Sequence, residues 1–251
     1  MSFKDHFSGH AADYAKYRPT YPPELFAYLA SIAPDRDSAW DCATGNGQAA
    51  RALAPFFRHV IATDASRTQI AQAPLDPRIQ YFVAPADQTP IPAGSIALVT
   101  VAQAVHWFDL PKFYAEVRRV TRPGGVLACW CYTLLSVAPP IDAVLFRLYE
   151  EILGTYWPPE RRLTDEKYQT IPFPFDELSS PPFEMHQTWT LDQLAGYLNT
   201  WSSVKKYQLD HGENPLELIW DELTALWGDP QQALPINWPL HMRVGRVDSK
   251  P

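Results

Sequence analysis

Asp41, Gly45 and Gly47 follow an apolar run that opens at Ala39. Two glycines one residue apart let the backbone turn sharply into a helix. The first amides of that helix then face the crevice where open α/β sheets bind ligands. A second acid, Asp64, closes the next apolar run, from His59 to Asp64. Two chemistries compete at this spacing. Gly45, Gly47 and Ala50 match the G-x-G-x-x-G/A cradle for a dinucleotide pyrophosphate, with Asp64 where a ribose-binding acid belongs. Asp41 points elsewhere, because a carboxylate four positions before Gly45 repels pyrophosphate and attracts an ammonium group. Further along, His106 and Trp107 follow a third apolar run, Ile96–Val101. A histidine there is a candidate substrate contact or general base. Near the start, Arg18 stands among Tyr14, Tyr17 and Tyr21, a cation that can take a carboxylate bidentately amid rings that can face a cationic centre.

These residues need elements to hold them. Short apolar strands are expected at Ala39–Ala43, His59–Asp64, Arg78–Val83, Ile96–Val101 and Val126–Tyr132. Helices are expected at Pro22–Ala33, from Gly47 to Leu53, at Ser66–Ala73 with Ser66 as cap, and at Pro111–Val120. Continuous rather than alternating apolar strands imply burial on both faces, as in a parallel sheet with helices on each side. Residues 136–182 carry proline pairs at 139–140, 158–159 and 181–182 around one expected helix, Ile141–Leu153, and so read as an inserted cap. Beyond it, Phe183–Trp189 reads as a strand. Thr190 and Gln193 form a capping box opening a helix to about Asn199, and Asn214 to Glu217 opens another. Trp238–Val247 reads as a last strand. Three parts follow: a core over 1–135, the cap over 136–182, and 183–251 completing the sheet.

The order Asp41, Ala43, Gly45, Gly47 resembles motif I of the class I S-adenosylmethionine (SAM)-dependent methyltransferases, acidic-x-Gly-x-Gly-x-Gly, with Ala43 in place of the first glycine. Asp64 and the adjoining Ala65 stand where the family's ribose-binding acid lies. Ala86 and Asp87, within Pro85–Pro90, resemble its Ala-acidic-x-x-Pro segment, whose acid bonds the adenine amino group. Gln103 to Asp109 resembles the loop after the fourth strand, and Arg122–Gly125 the turn before the fifth. Tyr14–Pro23 and Trp189–Gln193 with Trp201 are similar to the trans-aconitate methyltransferase-like branch. The resemblance implies a Rossmann-like, seven-stranded, mostly parallel sheet with its last strand antiparallel. It implies SAM as cofactor, met by Tyr14, Arg18 and Tyr21 in an N-terminal lid over about 1–22 and by Asp41, Ala43, Gly45, Gly47, Asp64, Ala65, Ala86, Asp87 and Gln103 in the core. His106 would face the substrate and Trp107 shape its pocket. Neither metal nor covalent residue is required.

Composition narrows the partners. A net charge of −7 without a basic run lacks the footprint that nucleic-acid backbones require. The longest charge-free stretch, Pro123–Ile141, opens with Pro-Gly-Gly and closes with prolines, leaving a strand rather than a membrane span. Three cysteines and no secretory pattern fit a cytoplasmic protein. The expected acceptor is therefore a small molecule, and the resemblance to the trans-aconitate-like branch implies that it is methylated on a carboxylate or another oxygen. Two other classes stay open: a SAM-binding protein without catalysis, and an NAD-dependent oxidoreductase, which Asp41 disfavours. The spacing says nothing of oligomeric state.

Overall fold

The computed structural model describes residues 19–247. Tyr14, Tyr17 and Arg18 of the expected lid lie outside them. Five strands pair in parallel in the order β3-β2-β1-β4-β5: Ser38–Cys42 (β1), His59–Asp64 (β2), Ile79–Val83 (β3), Ile96–Ala102 (β4) and Thr121–Tyr132 (β5). Leu234–Arg246 (β8) runs antiparallel to β5 over Val126–Tyr132. Phe183–Trp189 (β7) and a two-residue strand, Asp176–Glu177 (β6), pair with the far side of β8. The sheet is thus the expected α/β architecture with β8 set between β5 and β7. β6 was not expected.

Two boundaries differ for physical reasons. β8 begins at Leu234 rather than Trp238, despite Pro235 and Pro239. Those prolines precede the stretch bonded to β5, which starts at Leu240, so the N–H each lacks leaves no β5 bond unmade, and Asn237 between them bonds Ser136 on that side. β5 absorbs the expected turn at Arg122–Gly125 as an irregular strand opening, with a register shift between Ile96 and Leu98. Only glycine fits that opening. Gly124 has φ +75°, and a Cβ on Gly125 would lie 2.2 Å from the Thr121 methyl.

Alternate residues of β5 feed two cores, Val126, Ala128 and Trp130 on one face and Leu127, Cys129 and Cys131 on the other. The first face is covered by Pro23–Ile32 (α1) and Gln48–Leu53 (α2). The second is covered by Leu110–Val120 (α4), where Phe113 lies 6.3 Å from Trp40. Arg67–Ala71 (α3) follows β2 and is capped as expected, Gln69 N donating to Ser66 Oγ.

The insert does not sit on one side. Pro139–Phe146 (α5) starts earlier than expected and passes into a π-helical turn at Arg147–Ile152, packing on the first face. Arg161–Asp165 (α6) leads to Tyr168 and Ile171, which pack on the second. Three later helices share the first face: Leu191–Leu198 (α7), with the expected capping box, Ser202–His211 (α8) and Trp220–Trp227 (α9). α5 lies beside α9, and the turn Gly154–Tyr156 beside α8. The cover over this face therefore draws on residues 191–227 as well as 136–182. Among the described residues no helix is long and apolar enough to cross a membrane.

Candidate active site

The loop after β1 is held by carboxylates on each side. Asp41 is 1% exposed and accepts hydrogen bonds from Thr44 Oγ1 at 2.5 Å and Thr100 Oγ1 at 2.8 Å. Burial pushes its carboxyl up to about 6, despite those hydroxyls and the Ala50 amide, with the Asp64 charge adding to the rise. Asp64 ends β2 and accepts from Gly45 N and Ser66 N, each at 2.8 Å. The two acids thus differ in orientation. Asp41 faces inward and fixes the loop, whereas Asp64 lies at the sheet edge and clamps both loops.

Between them the backbone turns through left-handed conformations at Ala43 (φ +55°), Gly45 (φ +58°) and Gly47 (φ +84°). A Cβ on Gly47 would approach Tyr81 Oη to 2.4 Å, so the second glycine is also a close approach. Ala43 takes the conformation that suits glycine, which explains why the family's motif has glycine there. Ala65 follows Asp64, half-buried. After β3, Ala86 packs against the second core and Asp87 is exposed. Their loop is anchored by Glu116, which accepts from Thr89 N at 2.8 Å and Thr89 Oγ1 at 2.6 Å and pairs with Arg119. Sequence reasoning missed this anchor.

At the end of β4, Gln103 (φ +55°) connects this edge to a second space. Its Nε2 donates to Tyr132 O at 3.2 Å, while its buried Oε1 has no partner among the described residues. Gln103, His106, Trp107, Trp157, Arg161 and Trp201 help to line a pocket of about 90 Å³. His106 Nδ1 lies 2.8 Å from Tyr168 Oη. Tyr168 is fully buried, and Nδ1 is the acceptor its hydroxyl finds among the described residues. The hydroxyl therefore donates to Nδ1, leaving the imidazole proton on Nε2. Burial and the Arg161 charge hold the His106 pKa down to about 3. Trp107 stacks obliquely on it, centroids 4.9 Å apart. Tyr21 of the expected lid meets Trp130 edge-on at 5.5 Å. Arg161 and Tyr168 were not anticipated. They sit in the proline-rich insert, where the one available signal was a cation just after Pro158 and Pro159.

A broader hollow of about 350 Å³ lies between Arg36, Phe57, Arg58 and Arg78. It is at the amino ends of the strands, away from the end where open α/β sheets place ligands.

The chemistry of these groups fits SAM. Asp64 offers carboxylate oxygens to a ribose diol, and the unpartnered Gln103 Oε1 offers an acceptor to an ammonium group. A methyltransferase-domain family model matches residues 40–129. A Dictyostelium discoideum protein named as a methyltransferase is 32% identical over 254 residues, spanning 98% of this chain and 96% of that one. The chain belongs to the class I SAM-dependent methyltransferases. A Saccharomyces cerevisiae member named as SAM-dependent is 30% identical over 131 residues, 49% of this chain and 45% of its own. A solved structure from Anaeromyxobacter dehalogenans, described as a type II methyltransferase, is 46% identical. It covers 93% of this methyltransferase and 100% of that chain with a TM-score of 0.89. None of these three names specifies an acceptor.

Proposed function

We propose that this methyltransferase methylates a small organic acid, held in the pocket beside Gln103, on a carboxylate or another oxygen. The observation that carries this reading is that Gln103 belongs both to the β4 edge and to the pocket lining. Asp64 receives the ribose hydroxyls, Ala65 flanks them, and Ala86 and Asp87 meet the adenine. Gln103 Oε1 takes the ammonium group. Asp41, with its oxygens engaged by Thr44 and Thr100, acts through the loop it shapes around Ala43, Gly45 and Gly47. Tyr21, against Trp130, stands where the chain enters this edge.

Bound SAM supplies an electrophilic methyl group on a sulfonium. The protein's part is to align the acceptor oxygen and to exclude water. His106, neutral and with its Nε2–H available, donates a hydrogen bond that positions the acceptor, with Trp107 shaping the wall. With a pKa near 3 it is a poor proton acceptor at neutral pH. That favours a carboxylate, which is a nucleophile without losing a proton. The net charge of −7 suits a small acceptor over nucleic acid.

The test has two parts. SAM or its demethylated product should raise the melting temperature while NAD does not, since binding to the native state stabilises it. Radiolabelled methyl transfer should then appear with small acids from a metabolite panel. Stabilisation by NAD alone would sink the cofactor assignment, and binding without transfer to any small molecule would leave a non-catalytic SAM binder.

A further inference from the structure

We infer that Arg161 is the specificity-determining residue for the acceptor, seating a carboxylate of that molecule on its two terminal nitrogens. The inference rests on the reading of the Gln103–His106 pocket as the acceptor site. Arg161 opens α6 in the insert and lines that pocket. Its Nε is already engaged, donating to Tyr149 Oη at 2.7 Å and lying 3.4 Å from Asp165 Oδ1. The guanidinium carbon sits over two rings, 5.0 Å from the Trp157 centroid and 5.4 Å from that of Tyr149. Those rings are fixed in turn, Trp157 Nε1 donating to Tyr149 O at 3.1 Å and Tyr149 Oη to Asp165 Oδ1 at 2.6 Å. The fork is therefore held at one edge and on its face. Neither terminal nitrogen has a hydrogen-bond partner among the described residues, and the side chain keeps 22% of its accessible surface.

The surroundings select the ligand. Among the described residues no aspartate or glutamate lines the pocket. Asp165 offsets part of the positive charge from the Nε side, where its Oδ1 is shared with Tyr149. His106 across the pocket is neutral. A cationic acceptor would thus meet the unshared charge of Arg161, and a neutral one would give the fork an uncharged oxygen, a weaker partner than a carboxylate, in a space walled by Trp157 and Trp201. A carboxylate matches the planar donor pair bidentately, and its apolar body can lie on the indoles. A phosphate dianion would need more than one cation, and among the described lining residues Arg161 is alone.

The test uses the full chain saturated with the demethylated product of SAM and four calorimetric probes: phenylacetate, phenylacetamide, hexanoate and hexanamide. Each acid should bind about tenfold or more tighter than its amide. Arg161→Gln should bring acid and amide to equal affinity, while Arg161→Lys, a point charge without the fork, should keep part of the preference. Both variants should bind the demethylated cofactor as the parent does, which shows that fold and cofactor site are intact. Equal binding of acids and amides by the parent protein, failure of all four probes to bind, or a preference surviving Arg161→Gln would overturn the inference. Methyl transfer confined to neutral molecules would also overturn it while leaving the small-molecule reading standing. Loss of cofactor binding in the parent protein would instead overturn the cofactor reading.

Discussion

The loop edge around Asp41 and Asp64, proposed to hold the cofactor, and the pocket around His106, proposed to hold the acceptor, are built by opposite means. At the edge, left-handed backbone at Ala43, Gly45 and Gly47 and two carboxylates bonded to neighbouring loops do the positioning, mostly between residues 41 and 66, with the Thr100 hydroxyl reaching Asp41 from β4. In the pocket, side chains from distant segments meet: His106 bonds Tyr168 from 62 positions away, and Trp201 faces Trp157 at 5.5 Å. Backbone geometry suits a cofactor that stays the same, whereas side-chain walls can be changed one residue at a time to suit an acceptor.

Each region buries a group whose pKa is shifted within the mildly acidic range, and the two should respond to pH in opposite directions. The Asp41 pKa is raised from 3.8 to about 6 on folding. Its contribution is thus fully present below 3.8 and lost as pH rises through about 6. His106 is lowered from 6.5 to about 3, so stability is lost as pH falls from 6.5 toward 3. Between pH 4 and 7 each effect amounts to about 2–3 kcal/mol. Urea unfolding should show Asp41→Asn gaining on the parent protein as pH rises, and His106→Phe gaining as pH falls. Parallel slopes for the two variants would break the contrast.

Next in size is Asp64→Ala, which should weaken binding of SAM by about 1.5–3 kcal/mol in calorimetry. It also leaves Gly45 N and Ser66 N without their acceptor, so the loss should exceed that of Asp64→Asn. Unchanged affinity would reduce Asp64 to a loop clamp. For the pocket, His106→Ala should lower kcat by about tenfold, a loss of about 1.4 kcal/mol, through positioning alone. Its pH–rate profile between pH 5.5 and 8.5 should match that of the parent protein, with no control by a group near 6.5. A thousandfold loss with such a control would mark a general base. The smallest effect belongs to Ala43→Gly. Relief of the left-handed strain, less the extra chain entropy of glycine, should stabilise the fold by about 0.5–1 kcal/mol in the same urea series.

The same contrast explains what could be read from the sequence. β2 and β7 match their expected bounds because apolar runs bounded by turns report local structure. Ser66 and Thr190 cap where expected, since capping depends on residues three apart. The acid and glycine positions of the β1 loop were legible because the backbone itself demands them. Arg161 and Tyr168 were not, because what brings them to the pocket and to His106 is a fold that returns the insert to the end of β4. Likewise α8, from Ser202 to His211, lacks a side-chain N-cap and went unread. The long helix expected over Ile141–Leu153 was half right, its periodicity continuing while its hydrogen bonding changed at Arg147.

β8 has a consequence for the order in which the molecule is made. Chains leave the ribosome from the amino end, and early segments begin to fold while later ones are still being added. β5, complete by residue 132, must wait for residues 240–246 before its outer edge is paired. The partner of β7 arrives equally late, at residues 234–240. For roughly a hundred residues of synthesis, about 5–20 seconds at typical elongation rates, a nascent chain shows an unpaired and largely apolar strand edge. The cofactor loops, finished long before, could already be in place.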